Sequence, residues 1–401
     1  MNKAFLDYLK LSVEDKNKSD KESIDIPALV QFADDFLRQI VDSFNRTYYV
    51  PQNGQLSLQW STESRCAAWI NAAKDSSAPF HTIYITYELL IQLAADGYAF
   101  TRYAIQWLNR PFHDVFWESK GIEKNGIGIF PLGIDPLQNK RFLMMNSLHW
   151  IVSHEIAHSL QSHAAVRSGV PHQAWMGPSH VSESPEGKEP CSDVEAEIFQ
   201  CTELAADFEA LRVLFITLVT SKRAHCKENS IQEDSLTKND IWTLFLSIAL
   251  VFLRFHHFDG KRFDGIVKGH HPHPSIRYLL LSQSLIGLIV KTDLKELAGL
   301  NFSEEEMFEV MTGTFWVALI FWAERYETDY EVISFGEVVT DPETIEVKRY
   351  LSKIVSRWDE LRPIIRNIYK NDFLLMEFNI FARRVSGIPL PQDEQDGHHE
   401  I

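Results

Sequence analysis

A predominantly helical α+β fold is what this sequence predicts, on three observations. Apolar residues recur at helical spacing through most of the chain. Strand-like alternation is confined to residues 46–135, where Leu56, Leu58 and Trp60 alternate with polar residues and Ile83 and Ile85 face one way in HTIYIT. Two Ser-x-x-Glu pairs, Ser192 with Glu195 and Ser303 with Glu306, have the spacing of capping boxes at helix starts.

Taken in order, residues 1–25 are polar and expected to be flexible, and a helix is predicted over 28–44. A strand around 56–60 and a second at 81–86 precede a helix at 87–108, with a short strand at 126–130. One long helix is predicted over 139–166, then a loop rich in Gly, Pro, Ser and His over 167–191 that lies near a cleft as a lid. The helix opened by Ser192 runs to about 221. Further helices are predicted at 240–255 and 272–290, from Ser303 onward, and over 342–385 with a break near Pro363. The expected organisation is one domain over 26–390, with its sheet-bearing part at about 46–135, active-site helices at about 139–221 and a helical C-terminal lobe at about 239–385. The tail, 391–401, is expected to be disordered.

Length and composition agree with a folded domain. The chain has 401 residues, and its 45% hydrophobic content is enough to bury a sizeable core. A formal net charge of −16 disfavours a general binder of nucleic acid or anionic membrane. The uncharged stretch 241–253 is short of the roughly 18–20 residues a membrane span needs, and 310–323 reads the same way, so both are expected to be core helices. The four cysteines, Cys66, Cys191, Cys201 and Cys226, match no paired metal or redox spacing. The first residues show no basic segment leading into an apolar run. A cytoplasmic location with free thiols is the expectation.

The chemistry concentrates in His154-Glu155-Ile156-Ala157-His158. On a helix, positions i and i+4 share a face, so two imidazoles there can bind one Zn²⁺. Glu155, turned about 100° away, is placed to hold and deprotonate a water rather than to ligate. A catalytic zinc needs a third protein ligand. Glu203-Leu204-Ala205-Ala206-Asp207 supplies Glu203, with Asp207 one turn on to accept the spare N–H of a ligand histidine. The apolar neighbours argue against two merely solvated carboxylates. Farther along, His271 and His273 are candidates to stabilise an oxyanion, with Arg277 as a further cation; the sequence does not choose between the two histidines. His149 and His163 read as lying off the metal face of the helix. His256-His257 reads as a helix-end pair.

These residues resemble the HExxH…ExxAD gluzincin zinc metallopeptidases, relatives of the CAAX prenyl endopeptidases and of HtpX. The resemblance runs through Ile70-Asn71-Ala72, Ile83-Tyr84-Ile85-Thr86 with Leu89-Leu90, the two metal motifs, and His271-Pro272-x-x-x-x-Arg277. It departs at Glu88, where glycine is usual, and in the long spacing before the HExxH helix. A soluble branch is implied, and the Lit-type phage-exclusion peptidases are similar in kind. The resemblance implies a zincin-like fold with the small sheet beside the HExxH helix, one zinc per chain, and endopeptidase activity on a protein or peptide substrate. It also implies that Ile83–Thr86 lies near an edge strand able to pair with extended substrate. The alternative is a non-catalytic protein-binding module on the same scaffold, with a structural or vestigial zinc. Oligomeric state is open.

Overall fold

The computed structural model describes residues 25–72, 78–107, 136–168, 192–228, 236–255, 263–291, 298–300, 302–326, 333–368 and 380–389. The expected strand at 126–130, most of the expected lid, His256-His257, Cys191 and the C-terminal tail lie outside these residues, as does the N-terminal segment except Asp25.

The described chain is predominantly helical with one three-stranded mixed sheet. Helix α1 (Ile26–Phe44) starts where the Asp25 carboxylate accepts from the Ala28 N–H at 3.1 Å. Its buried stripe of Val30, Ala33, Leu37 and Val41 repeats at three and four residues. A π-helical turn and a 3₁₀ turn lead into β1 (Gln55–Ser61), followed by β2 (Ala68–Ala72) and β3 (Phe80–Thr86). On β3, His81, Ile83 and Ile85 are buried on one face, in the alternation the sequence predicts.

The strand order is β1-β3-β2, with β3 parallel to β1 and antiparallel to β2. Ile83–Thr86, expected near an edge strand, therefore lies on the central strand: β3 is hydrogen-bonded on both sides and has no open edge of its own. Among the described strands the one beside the long helices is β2, a strand of five residues too short to announce itself by alternation. Its Trp69 lies directly opposite Tyr84 with the rings stacked at 5.2 Å.

Thr86 ends the sheet and begins α2 (Tyr87–Trp107), its hydroxyl accepting from the Leu89 N–H at 3.2 Å. Helix α3 (Pro136–Leu160) is the centre of the molecule, packing on α1, α2, β2, β3, α5 and α6. The single helix expected over 139–166 is in fact two: α3 stops at Leu160, and α4 (His163–Ser168) starts after a turn at Gln161 and Ser162. Ser162 sits at φ 52°, a left-handed conformation that no continuous helix admits.

Helix α5 (Asp193–Glu228) lies along α3. Its predicted capping box is formed: Glu195 N–H donates to Ser192 Oγ at 3.3 Å, and Ser192 N–H donates to Glu195 Oε2 at 2.9 Å. The remaining helices are α6 (Lys238–Phe255), α7 (Pro274–Lys291), α8 (Glu304–Tyr326), α9 (Ile333–Thr340), α10 (Ile345–Ile368) and α11 (Ile380–Ser386). Ser303 and Glu306 close the second capping box at α8. Helix α10 runs through Pro363, where a break was expected; buried Leu361 and Ile365 hold it in place on both sides of the proline. Gly336 on α9 lies so close to Trp316 that a Cβ would stand 2.4 Å from the indole, so only glycine lets the two helices meet there.

Among the described residues one helix, over Glu304–Ala323, is long and apolar enough to cross a membrane, with a mean hydropathy of 1.2. Some 78% of that window is buried inside the fold, as for a core helix.

Two buried histidines give the fold an acid-sensitive limb. Burial pushes the rings of His81 and His149 down to about 4, whereas an unfolded histidine titrates at about 6.5. The unfolded chain therefore binds these protons first. The stability from each neutral ring is complete above about pH 6.5 and falls toward pH 4 by about 1.4 kcal/mol per pH unit. His149→Phe is expected to flatten the fall of the unfolding midpoint across that window. An unchanged slope in the variant would mean that His149 takes its proton in the folded state.

Candidate metal centre

Three helices build the site. Helix α3 presents His154 and His158 one turn apart, α5 presents Glu203, and all three side chains are about 1% exposed. The segment leading into α7 brings His271 alongside. Helices α3 and α5 pack along one another, and each carries small, fully buried residues near the site, Ala157 on one and Ala205 and Ala206 on the other. Small residues let the two backbones approach closely enough for side chains from both to reach one point.

His154 Nε2 and His158 Nε2 lie 3.0 Å apart. Glu203 Oε2 is 3.4 Å from His154 Nε2, and Glu203 Oε1 is 3.4 Å from His158 Nε2. Two ligand atoms each about 2.0–2.1 Å from a tetrahedral ion stand about 3.3 Å apart. The three side chains thus form a buried cluster able to hold a metal ion. Glu203 Oε2 has no hydrogen-bond donor among the described residues although it is fully enclosed, as expected of an oxygen reserved for a cation.

Burial pushes the His158 and His163 rings well below the ordinary histidine range, leaving them neutral, the form that offers a lone pair to a metal. The Glu203 carboxyl is held well below the usual carboxylate range. Burial opposes its ionisation, and the surrounding His158, His271 and His154 outweigh that. A carboxylate among imidazoles at this spacing calls for positive charge at their common point, and a divalent cation supplies it. Donor set, spacing and burial all fit such an ion.

The surroundings hold these ligands in place. His154 Nδ1 stands 2.9 Å from Asp207 Oδ1, and Arg277 forks onto Asp207 from Nε at 2.8 Å and Nη2 at 2.6 Å. Arg277 was expected as a cation for a substrate oxyanion. It is 4% exposed, locked on Asp207, and lies over the Phe252 ring at 4.4 Å. Of the two candidate histidines, His271 is the one beside the cluster, its Nδ1 3.3 Å from Glu203 Oε2 and its side chain 29% exposed. His273 packs against Phe335 and Phe263 at 4.3 and 5.3 Å and accepts the Ser275 N–H at the start of α7.

No family model, curated protein or solved structure matches the chain. The gluzincin likeness is therefore supported in the structure by the His154, His158 and Glu203 cluster alone.

Several neighbours were not legible in the sequence. Arg167, expected in a loop, lies on α4 and donates to Glu203 Oε1 and Thr202 Oγ1, each at 2.8 Å, while stacking over Phe199. It engages Oε1 of the carboxylate, the oxygen facing His158. Trp150, one turn before His154, stacks on that imidazole at 5.0 Å. His163 reaches His158 across the α3–α4 turn, with the two Nδ1 atoms 2.7 Å apart. Five residues on in an unbroken helix it would point about 140° away from His158; the turn at Ser162 brings it back. His149 remains off the cluster, edge-on to Phe36.

Proposed function

We propose that the chain is a zinc-dependent endopeptidase of zincin-like fold, with His154, His158 and Glu203 as metal ligands and Glu155 as general base. The observation that carries the reading is the convergence of two imidazoles and a carboxylate at tetrahedral spacing, on the helix that also buries Glu155 one residue after a ligand. A purely structural site has no use for that fourth side chain, and carboxylates are otherwise rarely enclosed.

When bound, zinc supplies Lewis acidity, polarising a carbonyl and making water acidic enough to ionise near neutrality. Glu155 takes the proton from the attacking water and returns it to the departing amine. Asp207, itself clamped by Arg277, orients the His154 ring. His271, beside the cluster and more exposed than its members, donates to the oxygen on which charge develops. Extended substrate lies near β2, which packs on α3 and carries Asn71, a side chain whose Oδ1 has no hydrogen-bond partner among the described residues.

The first test is zinc content. The purified protein is expected to carry about one zinc per chain, and Glu203→Gln, which keeps an acceptor for Arg167, is expected to lose most of it. A folded wild type that takes up no zinc when supplied with it would remove the basis for the peptidase. Cleavage of a mixed peptide library by the zinc-loaded protein then reads the activity directly.

A further inference from the structure

We infer that His163 and Gln161 form a tautomer lock that keeps the Nε2 lone pair of His158 turned toward the metal. The inference rests on the metal centre proposed above and extends it to two residues with no place in the HExxH or ExxAD motifs.

The argument is a count of protons along one chain of contacts. His158 Nε2 faces His154 and Glu203, so it must be bare to bind a metal, and the single proton of a neutral ring must then sit on Nδ1. That Nδ1 lies 2.7 Å from His163 Nδ1, so His158 donates and His163 Nδ1 accepts. A neutral His163 then carries its proton on Nε2, which lies 2.8 Å from Gln161 Oε1, a carbonyl oxygen that can only accept. The two ring protons then run in one direction: His158 Nδ1–H to His163, and His163 Nε2–H to Gln161.

Reversing the amide would reverse the whole chain. Its N–H would donate to His163 Nε2, His163 Nδ1–H would donate to His158, and the His158 proton would move onto the metal-facing nitrogen. The direction of one amide thus separates a ring that binds metal from one that cannot.

The local fold is built around these contacts. Gln161, Ser162 and His163 are all at most 4% exposed. Ser162 holds a left-handed backbone that is strained for a non-glycine residue. That turn places His163 within reach of both His158 and Gln161, which a straight continuation of α3 does not.

The test is zinc affinity, measured on the full-length protein by competition with a chromophoric chelator, together with the visible spectrum of the Co²⁺-loaded form. His163→Phe keeps a ring of similar size and removes the acceptor. It is expected to weaken zinc about 10–100-fold and to shift the cobalt bands. Gln161→Leu is expected to weaken zinc about tenfold. Gln161→Glu, whose carboxylate can only accept, is expected to bind at least as tightly as the wild type, with an unmoved cobalt spectrum. The contrast between these last two decides the matter even if His163→Phe does not fold. Wild-type affinity in a folded His163→Phe, or an equal loss in Gln161→Glu and Gln161→Leu, overturns the lock while leaving the metal centre intact. A wild type that takes no zinc overturns both.

Discussion

Glu155→Gln is expected to retain zinc at the wild-type level and to lower peptide hydrolysis by about 10²–10⁴-fold. The amide keeps the size of the side chain and fills the same enclosed space beside His154, so the packing of α3 against α5 is preserved. What it loses is the ability to take a proton. Metal content and single-turnover cleavage, measured on the same preparation, separate the two effects. Zinc retention with full turnover would assign proton transfer to another group, and His271 would then be the next residue to replace. Loss of zinc together with activity would make Glu155 part of the ligand set.

The second large effect is expected on stability. Arg277→Met removes the fork that neutralises Asp207, a carboxylate with no exposed surface. Breaking one side of a buried ion pair leaves the other charge enclosed and costs about 3–5 kcal/mol. Denaturant unfolding of the metal-free protein reads this directly. Pairing the change with Asp207→Asn is expected to recover much of the loss, because the stranded charge is then gone. Zinc affinity is expected to fall in both single variants, since Asp207 faces the ring nitrogen of His154 opposite the metal side. A loss below about 1 kcal/mol for Arg277→Met would mean that Asp207 draws its compensation from elsewhere.

The His154, His158 and Glu203 cluster was legible because helix geometry brings residues four apart onto one face, and because Glu203 and Asp207 sit where unpartnered carboxylates are costly. The predominance of helix and both capping boxes were legible for the same local reasons. What escaped depended on tertiary placement. Arg277 reads from the sequence as a free cation near the metal, but it is consumed by Asp207, an acidic residue on another helix. His163 reads as a residue on the wrong side of a long helix, because nothing in the pattern around Gln161 and Ser162 marks a turn: neither is a glycine or a proline. The central place of β3 escaped because β2 is five residues long and lacks alternation. The choice between His271 and His273 was set by which of them found an aromatic pocket, formed by Phe263 on the approach to α7 and Phe335 on α9.

The stacking of Trp150 on His154 gives the protein an optical reporter at its centre. An indole in face contact with an imidazole changes its emission when that imidazole gains a proton or a metal, because either event withdraws electron density from the ring beneath it. Ten tryptophans contribute to the total signal, but the part abolished by Trp150→Phe comes from this residue. The difference in emission between wild type and that variant can therefore follow occupancy of the site in solution, without a label and without a substrate.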